Sequence, residues 1–244
     1  MEILNGFVPE VLVERSLITI INNLVHMQDL VQEMSWEVVR EQHPKEPGKW
    51  SRLWLCKNVY QVLVENMGTL SVETIILEGD RRREVITHLK LNGKSLSGMS
   101  NLRLIIINNV DVHLSEDLEY LPNELRFLEW HGYPIEYIWK DIKLSTKNLK
   151  IINISFSHNL IKTPDFEMIS NLERLNLQCC TKLCEIHKTV GSLGKLILLN
   201  LKECGNLVVF PSDIHGLKSL KILNLNAYSK LDTLSQIGGS RAFG

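Results

Sequence analysis

One nine-residue pattern recurs six times in the second half of this 244-residue chain and constrains its fold more than any other feature. Each copy places aliphatic or aromatic anchors at the first, fourth and sixth positions of L-x-x-L-x-L. The anchors are Leu102/Ile105/Ile107, Leu125/Leu128/Trp130, Leu149/Ile152/Ile154, Leu172/Leu175/Leu177, Leu196/Leu199/Leu201 and Leu220/Leu223/Leu225. Successive first anchors are 23, 24, 23, 24 and 24 residues apart. So constant a period favours a repeat architecture over an ordinary α/β domain with leucine-rich strands and helices.

This spacing falls in the range of about 20 to 29 residues that is typical of leucine-rich repeats. The x-L-x-L-x part of each copy predicts a short strand with its leucines on one side. Such strands stack in parallel, because no single unit buries its apolar face alone. The ninth position, normally Asn or Cys, is expected to turn inward at the bend, as at Cys180 and Cys204. Ser157 and Tyr228 hold it in two other repeats, where less regular turns are expected. We therefore predict an α/β fold, a leucine-rich repeat solenoid with parallel strands on its concave face.

The first third of the chain predicts a different unit. Met27, Leu30, Val31, Met34 and Val38 give residues 27–41 one apolar helical face. That helix should end before Pro44, because the residue preceding a proline leaves the helical region. Residues 11–21 suggest a helix end followed by a short strand, and residues 24–26 a second strand after an Asn-Asn turn. Helix, hairpin, helix is the outline of a winged-helix module.

Between this module and the repeats, a helix over 58–66 is expected to end at Gly68, and a strand is expected over 72–77. The mixed charges of residues 78–84 predict a solvated loop. We divide the chain into a partial winged-helix unit (1–45), a linker with the cap of the repeats (46–98), about six repeats (99–235) and a frayed tail (236–244).

Composition excludes several kinds of function. The net charge is −1, and the helix over 27–41 carries Asp29, Glu33, Glu37 and Glu41, so nucleic acid is not an expected partner. Five cysteines without a spaced framework favour reduced thiols. No signal peptide or membrane span is evident, which predicts a cytoplasmic or nucleo-cytoplasmic location.

No catalytic group or metal site is expected. Cys179, Cys180, Cys184 and His187 lie within nine residues and could in principle bind zinc. The phase of the repeat puts Cys180 in the core and Cys179 on the concave side, so the four side chains should not converge. We expect no enzyme activity and no metal.

Several segments closely resemble the plant TIR-type nucleotide-binding, leucine-rich-repeat disease resistance proteins. Residues 27–34 resemble the Met-His-Asp motif of the winged-helix subdomain in the NB-ARC switch region. Residues 44–54 resemble the linker Pro-x-x-Pro-Gly-x-x-Ser-Arg-Leu-Trp that follows it. Residues 121–134, 160–166 and 171–175 are similar to the family's early repeats. The resemblance extends to about Leu231.

The resemblance implies that ADP or ATP binds the intact receptors, but this chain departs from them. It contains no G-x-x-x-x-G-K-[S/T] loop, so we expect no nucleotide cofactor in this fragment. Gln28 replaces the histidine of the Met-His-Asp motif, which leaves Gln28 and Asp29 as a degenerate nucleotide contact. The resemblance implies about one further repeat between Tyr133-Pro134 and Ile138-Trp139-Lys140, which this chain lacks, and the last unit lacks a cap. Truncation of a longer receptor or an imperfect gene model would explain both ends.

The remaining function is protein binding by the side chains between the anchors. The concave-face candidates are Glu129, His131, Asn153, Ser155, Glu173, Arg174, Asn176, Gln178, Lys202, Glu203, Asn224 and Asn226. Mixed charge and hydrogen-bonding groups on a rigid curved surface suit a protein partner. The resemblance implies plant defence signalling, with a switch domain, a pathogen effector or a guarded host protein as partner. The alternative is a truncated adaptor or decoy, or a remnant that is only a scaffold.

Overall fold

The computed structural model describes residues 18–21, 24–79, 88–115, 118, 121–137 and 147–225, and the structural statements below concern those residues. In chain order the elements are β1 (Ile18–Ile21), β2 (Leu24–Met27), α1 (Asp29–Glu41), β3 (Arg52–Leu53), α2 (Cys56–Val64), β4 (Thr74–Glu78), β5 (His88–Leu91), β6 (Leu104–Asn108), β7 (Asp111–Leu114), β8 (Phe127–Trp130), β9 (Ile151–Asn153), β10 (Arg174–Asn176), β11 (Leu198–Asn200) and β12 (Ile222–Asn224). Short 3-10 turns lie at Pro47–Lys49, Glu167–Ile169 and Lys188–Ser192.

Eight parallel strands form one sheet in the order β12-β11-β10-β9-β8-β6-β4-β3. The central anchors are in register across this sheet, with Ile105 opposite Leu128, Leu128 opposite Ile152 and Leu175 opposite Leu199. In the first five copies of the pattern all the anchors are buried, and in the sixth they are partly buried. In the segments that follow the turns, isolated parallel β-bridges join Tyr137 to Lys162, Lys162 to Glu185 and Glu185 to Val209. The predicted solenoid is confirmed.

The sheet begins earlier in the chain than the six copies of the pattern suggest. Leu53 of β3 lies opposite Ile75 of β4, and Ile75 lies opposite Ile105. Val72, Ile75 and Leu77 are fully buried, so this segment is a further copy of the repeat. The 30-residue step from Ile75 to Ile105 breaks the period of 23 to 24, which is why counting from the regular copies misses it. The parallel sheet thus extends into residues 46–98, which the sequence assigned to linker and cap.

The turn after each strand has a fixed geometry. One residue in each of five successive turns has a positive φ between 57° and 70°: Asn109, Gly132, Phe156, Cys179 and Glu203. The next residue is buried in each of these turns, as predicted for Cys180 and Cys204, and the turn at Ser157 is as regular as the others, contrary to expectation. The Ser157 hydroxyl donates to the Ile154 carbonyl at 2.6 Å, and the Cys204 thiol donates to the Leu177 carbonyl at 3.0 Å. Tyr228 lies outside the described residues.

Helix α2 packs Val59, Val62 and Leu63 into the core, as predicted. It ends at Val64, earlier than expected, and the predicted role of Gly68 as its stop is wrong. Asn66 adopts φ 55°, and the Met67 N–H donates to the Val62 carbonyl at 2.9 Å. This is the Schellman arrangement, in which one left-handed residue after the helix lets its last carbonyls find donors.

Strands β1 and β2 form the predicted antiparallel hairpin, and α1 follows it directly and ends before Pro44. The apolar face of α1 is exposed, with Leu30, Met34 and Val38 each at least 60% accessible. The helix meets the solenoid through aromatic stacking. The Trp36 ring stacks on Trp54 with centroids 5.6 Å apart, and Trp54 stacks on Trp50 at 5.9 Å.

This stack predicts that Trp36 holds α1 against the first strand of the solenoid. Since aromatic pairs contribute about 0.5 to 1.5 kcal/mol beyond area burial, Trp36→Ala should speed amide hydrogen exchange in residues 29–41. The anchors of β10 and β11 are far along the sheet, so their exchange should not change. Mass spectrometry of the exchanged chain measures both regions. Equal acceleration in both would show that Trp36 stabilises the whole chain and not this junction.

Candidate protein-binding face

The concave face is formed by the side chains that alternate with the buried anchors along each strand. Most of the predicted candidates lie there with partial or full exposure: Glu129, His131, Asn153, Glu173, Arg174, Asn176, Gln178, Lys202, Glu203 and Asn224. Ser155 lies in the same register but is only 3% exposed, so it offers a partner little surface. Asn226 lies outside the described residues.

A polar cluster lies on this face where β6, β8 and β9 run side by side. The Asn108 amide donates to Glu129 Oε1 at 2.6 Å, and the Asn153 amide lies 3.2 Å from Glu129 Oε2. The Asn153 amide is also 3.2 Å from His131 Nε2, which is 4.0 Å from Glu129 Oε1. The His131 ring meets the Phe156 ring edge-on at 6.0 Å. Three side chains from three repeats, Asn108, His131 and Asn153, thus converge around the Glu129 carboxylate.

Other charged groups on and beside the face are also paired, two of the pairs between neighbouring repeats and one within a repeat. Lys150 Nζ lies 2.9 Å from Glu173 Oε1, and Arg103 lies 3.3 Å from Glu73 one column away from the face centre. Lys202 lies 3.3 Å from Glu203. Because these pairs are substantially exposed, each stabilises the fold by at most about 1 kcal/mol. They fix the charge pattern that a partner meets.

An asparagine column runs along the face and was only partly predicted. Asn153, Asn176 and Asn200 each accept the backbone N–H two residues later, at 3.3, 3.1 and 3.1 Å. These bonds shape the end of each strand in the manner of Asx turns, so a structural role accounts for part of their presence. Asn200 was absent from the candidates although it repeats the spacing of Asn153 and Asn176.

Sequence reasoning also missed the apolar and aromatic residues of the face. A column of partly accessible side chains precedes the central anchors. It contains Leu104, Phe127, Ile151, Leu198 and Ile222, with the exposed Arg174 in register between Ile151 and Leu198. Phe156 is 45% exposed. Only polar residues were selected as candidates. The residue immediately before the central anchor of each repeat lies at a constant position in the pattern and would have identified this column.

The cysteines do not form a metal site. Among the described residues, no group of three or more His, Cys, Asp or Glu side chains is arranged to hold a metal ion. Cys180 is a core residue whose thiol donates to the Ile154 carbonyl. Cys179 is largely buried, not projecting from the face as expected, and its thiol lies 3.1 Å from Glu203 Oε2. Its left-handed backbone turns the side chain back toward the neighbouring repeat.

Both thiols should be unreactive in the native chain. A hydrogen bond with the Cys204 thiol, together with burial, raises the pKa of Cys180, and burial followed by the Glu203 carboxylate raises the pKa of Cys179. Unfolded cysteines ionise near about pH 8.5. The folded chain keeps both thiols protonated. Their contribution to the free energy of unfolding is therefore fully present below that pH and should be lost as the pH rises above it.

Iodoacetamide labelling measures this difference, because the thiolate is the reacting species. At pH 8.5, Cys179 and Cys180 should be alkylated at least about tenfold more slowly in the native chain than in urea. Urea denaturation at pH 7, 9 and 10 should show the expected loss of stability. Equal labelling rates in the native and the urea-unfolded chain would contradict the assignment.

Gln28 and Asp29 do not fit a nucleotide site by themselves. Both are exposed at the start of α1, and Gln28 makes no side-chain capping bond to the helix. A diphosphate needs several backbone amides and cations around it. A carboxylate at the first helical position repels such an anion. The nucleotide contact inferred from these two residues stays a prediction.

In the described part of the chain, no helix combines the length and hydrophobicity needed to cross a bilayer.

Known proteins match both parts of the chain. Residues 4–43 match the family model described as Disease resistance protein Roq1-like, winged-helix domain. The TMV resistance protein N of Nicotiana glutinosa is 31% identical over 252 residues, covering 94% of this chain and 21% of that protein. Disease resistance protein RPP2A of Arabidopsis thaliana is 32% identical over 91% of this chain and 19% of that protein.

Disease resistance protein RUN1 of Vitis rotundifolia is 32% identical over 75% of this chain and 17% of its own length. The chain therefore spans about a fifth of the length of these relatives. The winged-helix match at the amino-terminal end and the parallel solenoid after it agree with the resemblance seen in the sequence. By these matches the chain belongs to the plant TIR-type nucleotide-binding, leucine-rich-repeat disease resistance proteins, of which it spans the end of the winged helix and the first repeats.

Proposed function

We propose that this chain is a non-catalytic protein-recognition region of a cytoplasmic plant immune receptor. Its concave face would contact the nucleotide-binding switch region of the same receptor type and restrain it until an effector or a guarded host protein competes for that face. The alternative role, a truncated adaptor or decoy, would use the same face without a switch region of its own.

The observation that carries this proposal is the continuous face of eight parallel strands. Its mainly apolar column, which runs from Leu104 to Ile222 and is interrupted by Arg174, lies beside hydrogen-bonding and charged columns that include Asn176 and Lys202. Protein interfaces combine an apolar centre with polar groups around it in this way. Because each unit is fixed by its neighbours, the face is rigid and loses little conformational freedom on binding.

The test is binding in trans to the recombinant switch region of the TMV resistance protein N. Biolayer interferometry should show saturable binding, and Leu198→Asp should weaken it by at least about tenfold, since it places a charge in the apolar column. Met168→Asp is the matched control, because Met168 is an exposed apolar residue in a 3-10 turn away from the strands. That variant should bind as the native chain does.

Two results would overturn the proposal. The first is no detectable binding of the folded chain to the switch region. The second is binding that is equally sensitive to Met168→Asp and Leu198→Asp, which would place the interface elsewhere.

In a parallel assay, the chain is expressed transiently in leaves together with the receptor. Cell death triggered by the receptor should be reduced, because the chain would occupy its switch region.

A further inference from the structure

Glu129 differs from the other carboxylates of the concave face in having no lysine or arginine partner. Glu173 is paired with Lys150, and Glu203 is paired with Lys202. In the described part of the chain, the charged or chargeable group nearest to Glu129 is the His131 ring at 4.0 Å. The carboxylate is partly sheltered, with 22% of its side chain accessible. Its charge is therefore partly desolvated and uncompensated.

Two amides fix the orientation of this carboxylate. Asn108 and Asn153 each donate to a different oxygen of Glu129, at 2.6 and 3.2 Å. A carboxylate has about four lone-pair sites, so each oxygen can still accept another bond. The group is thus held in one position by neutral donors and still has acceptor capacity on its accessible side.

A second acceptor beside Glu129 has no donor. Asn108 is only 8% exposed, and its Oδ1 is buried without a hydrogen-bond partner. Turning the amide over would bring this oxygen against the Glu129 carboxylate, so the orientation is set by the charge. Buried polar atoms normally find partners, so a donor from a partner that reaches this oxygen would add a hydrogen bond.

An exposed aromatic ring stands next to the cluster at a strained position. Phe156 has φ 62°, where bulky side chains are outliers, and it is 45% exposed. Asn109, Gly132, Cys179 and Glu203 adopt the same left-handed backbone in other repeats, so this conformation belongs to the repeat. What distinguishes Phe156 is its accessible ring, which lies edge-on to His131 and provides a flat apolar wall.

Resting on the proposed function, we infer that Asn108, Glu129, His131, Asn153 and Phe156 form a socket for an arginine side chain of the protein partner. The guanidinium carries a positive charge, offers five donors in a plane and stacks on aromatic rings. It would bond to Glu129, satisfy the Asn108 oxygen after a small opening of the socket, and lie along Phe156. A lysine ammonium is a point charge that gains less from two acceptors and a flat wall.

The test uses N-acetyl-arginine amide as probe, followed by two-dimensional NMR of the full chain. Saturable shifts are expected at the backbone amides of Glu129, His131 and Phe156. N-acetyl-citrulline amide is the matched neutral probe, and its effect at the same concentration should be at least about tenfold weaker. N-acetyl-lysine amide should bind more weakly than the arginine probe.

Glu129→Gln should abolish the shifts, because it removes the charge and keeps the shape. Glu203→Gln is the control, since it removes a paired carboxylate of the same face two repeats past β9. Phe156→Asn should weaken probe binding severalfold while leaving the thermal midpoint unchanged or higher, because asparagine tolerates the left-handed backbone. A merely structural Phe156 would instead lower the midpoint.

Equal shifts with the citrulline probe, shifts that persist in Glu129→Gln, or shifts centred on other repeats would each overturn the socket. The citrulline comparison needs no variant, so misfolding of a variant cannot conceal the result. If the switch region binds the native chain but the arginine probe gives no shifts, the socket fails and the proposed function stands. If the probe binds the socket but the switch region does not bind, the proposed function fails instead.

Discussion

Gly48→Ala is expected to destabilise the chain by about 3 kcal/mol, the upper end of the usual cost of overpacking, because this site cannot relax. A Cβ at Gly48 would lie 2.0 Å from the Met67 carbonyl oxygen and 2.9 Å from its carbon. Both are backbone atoms, so no flexible side chain can move aside. The Gly48 carbonyl accepts hydrogen bonds from the Thr69 N–H at 3.1 Å and the Thr69 hydroxyl at 2.7 Å. These bonds hold the backbone segments around Gly48 and Thr69 together. Urea denaturation followed by circular dichroism measures the loss.

Gly205→Ala is the matched control for this variant. A Cβ at Gly205 has no heavy atom within 4 Å, and the residue is exposed. Its effect should stay within about 0.5 kcal/mol, as for most surface substitutions. If Gly48→Ala destabilised the chain as little as the control, the close approach of Gly48 to the Met67 backbone would not explain the glycine at this position. The resemblance to the family linker rests partly on this glycine, and the contact supplies a physical reason for it.

The core of the solenoid could be predicted because its anchors repeat in the sequence itself. Leu175 and Leu199 occupy equal positions 24 residues apart, so the same spacing that identifies the repeat also sets the register of the strands. Where the spacing changes, as between Ile75 and Ile105, the same argument fails even though the side chains pack identically. The fold depends on burial of each anchor against its neighbours and not on a constant loop length.

The candidate site could be predicted only residue by residue. Glu129, His131 and Asn153 were expected on the concave face, but their convergence depends on side-chain directions across strands that the sequence does not specify. Asn108 was not a candidate, because the candidates were taken from Glu129 onward. Phe156 was not a candidate either, because only polar side chains were selected. The same left-handed turn buries Cys179 and leaves the Phe156 ring 45% exposed, so exposure at this position does not follow from the repeat pattern.

The other large effect is expected from Phe166→Ala, which should lower the unfolding free energy by about 3 to 5 kcal/mol, as for other fully buried phenylalanines. Phe166 is completely inaccessible, and its N–H donates to the Thr189 hydroxyl at 2.8 Å. Removing the ring leaves a cavity between two turns whose backbones are tied together by that bond. Urea denaturation gives the free energy. Hydrogen exchange should show the largest loss of protection in residues 147–200, because repeats transmit instability mainly to their neighbours.

Phe156→Ala is the matched control, since it deletes the same side chain from an exposed position. Its stability should change by less than about 1 kcal/mol, because little burial is lost and alanine keeps the strained backbone. The two variants therefore separate the roles that one residue type has in this chain, one ring filling the core and the other available to a partner. A large loss from Phe156→Ala would contradict that division, because the exposed ring would then be part of the packing that holds the repeats together.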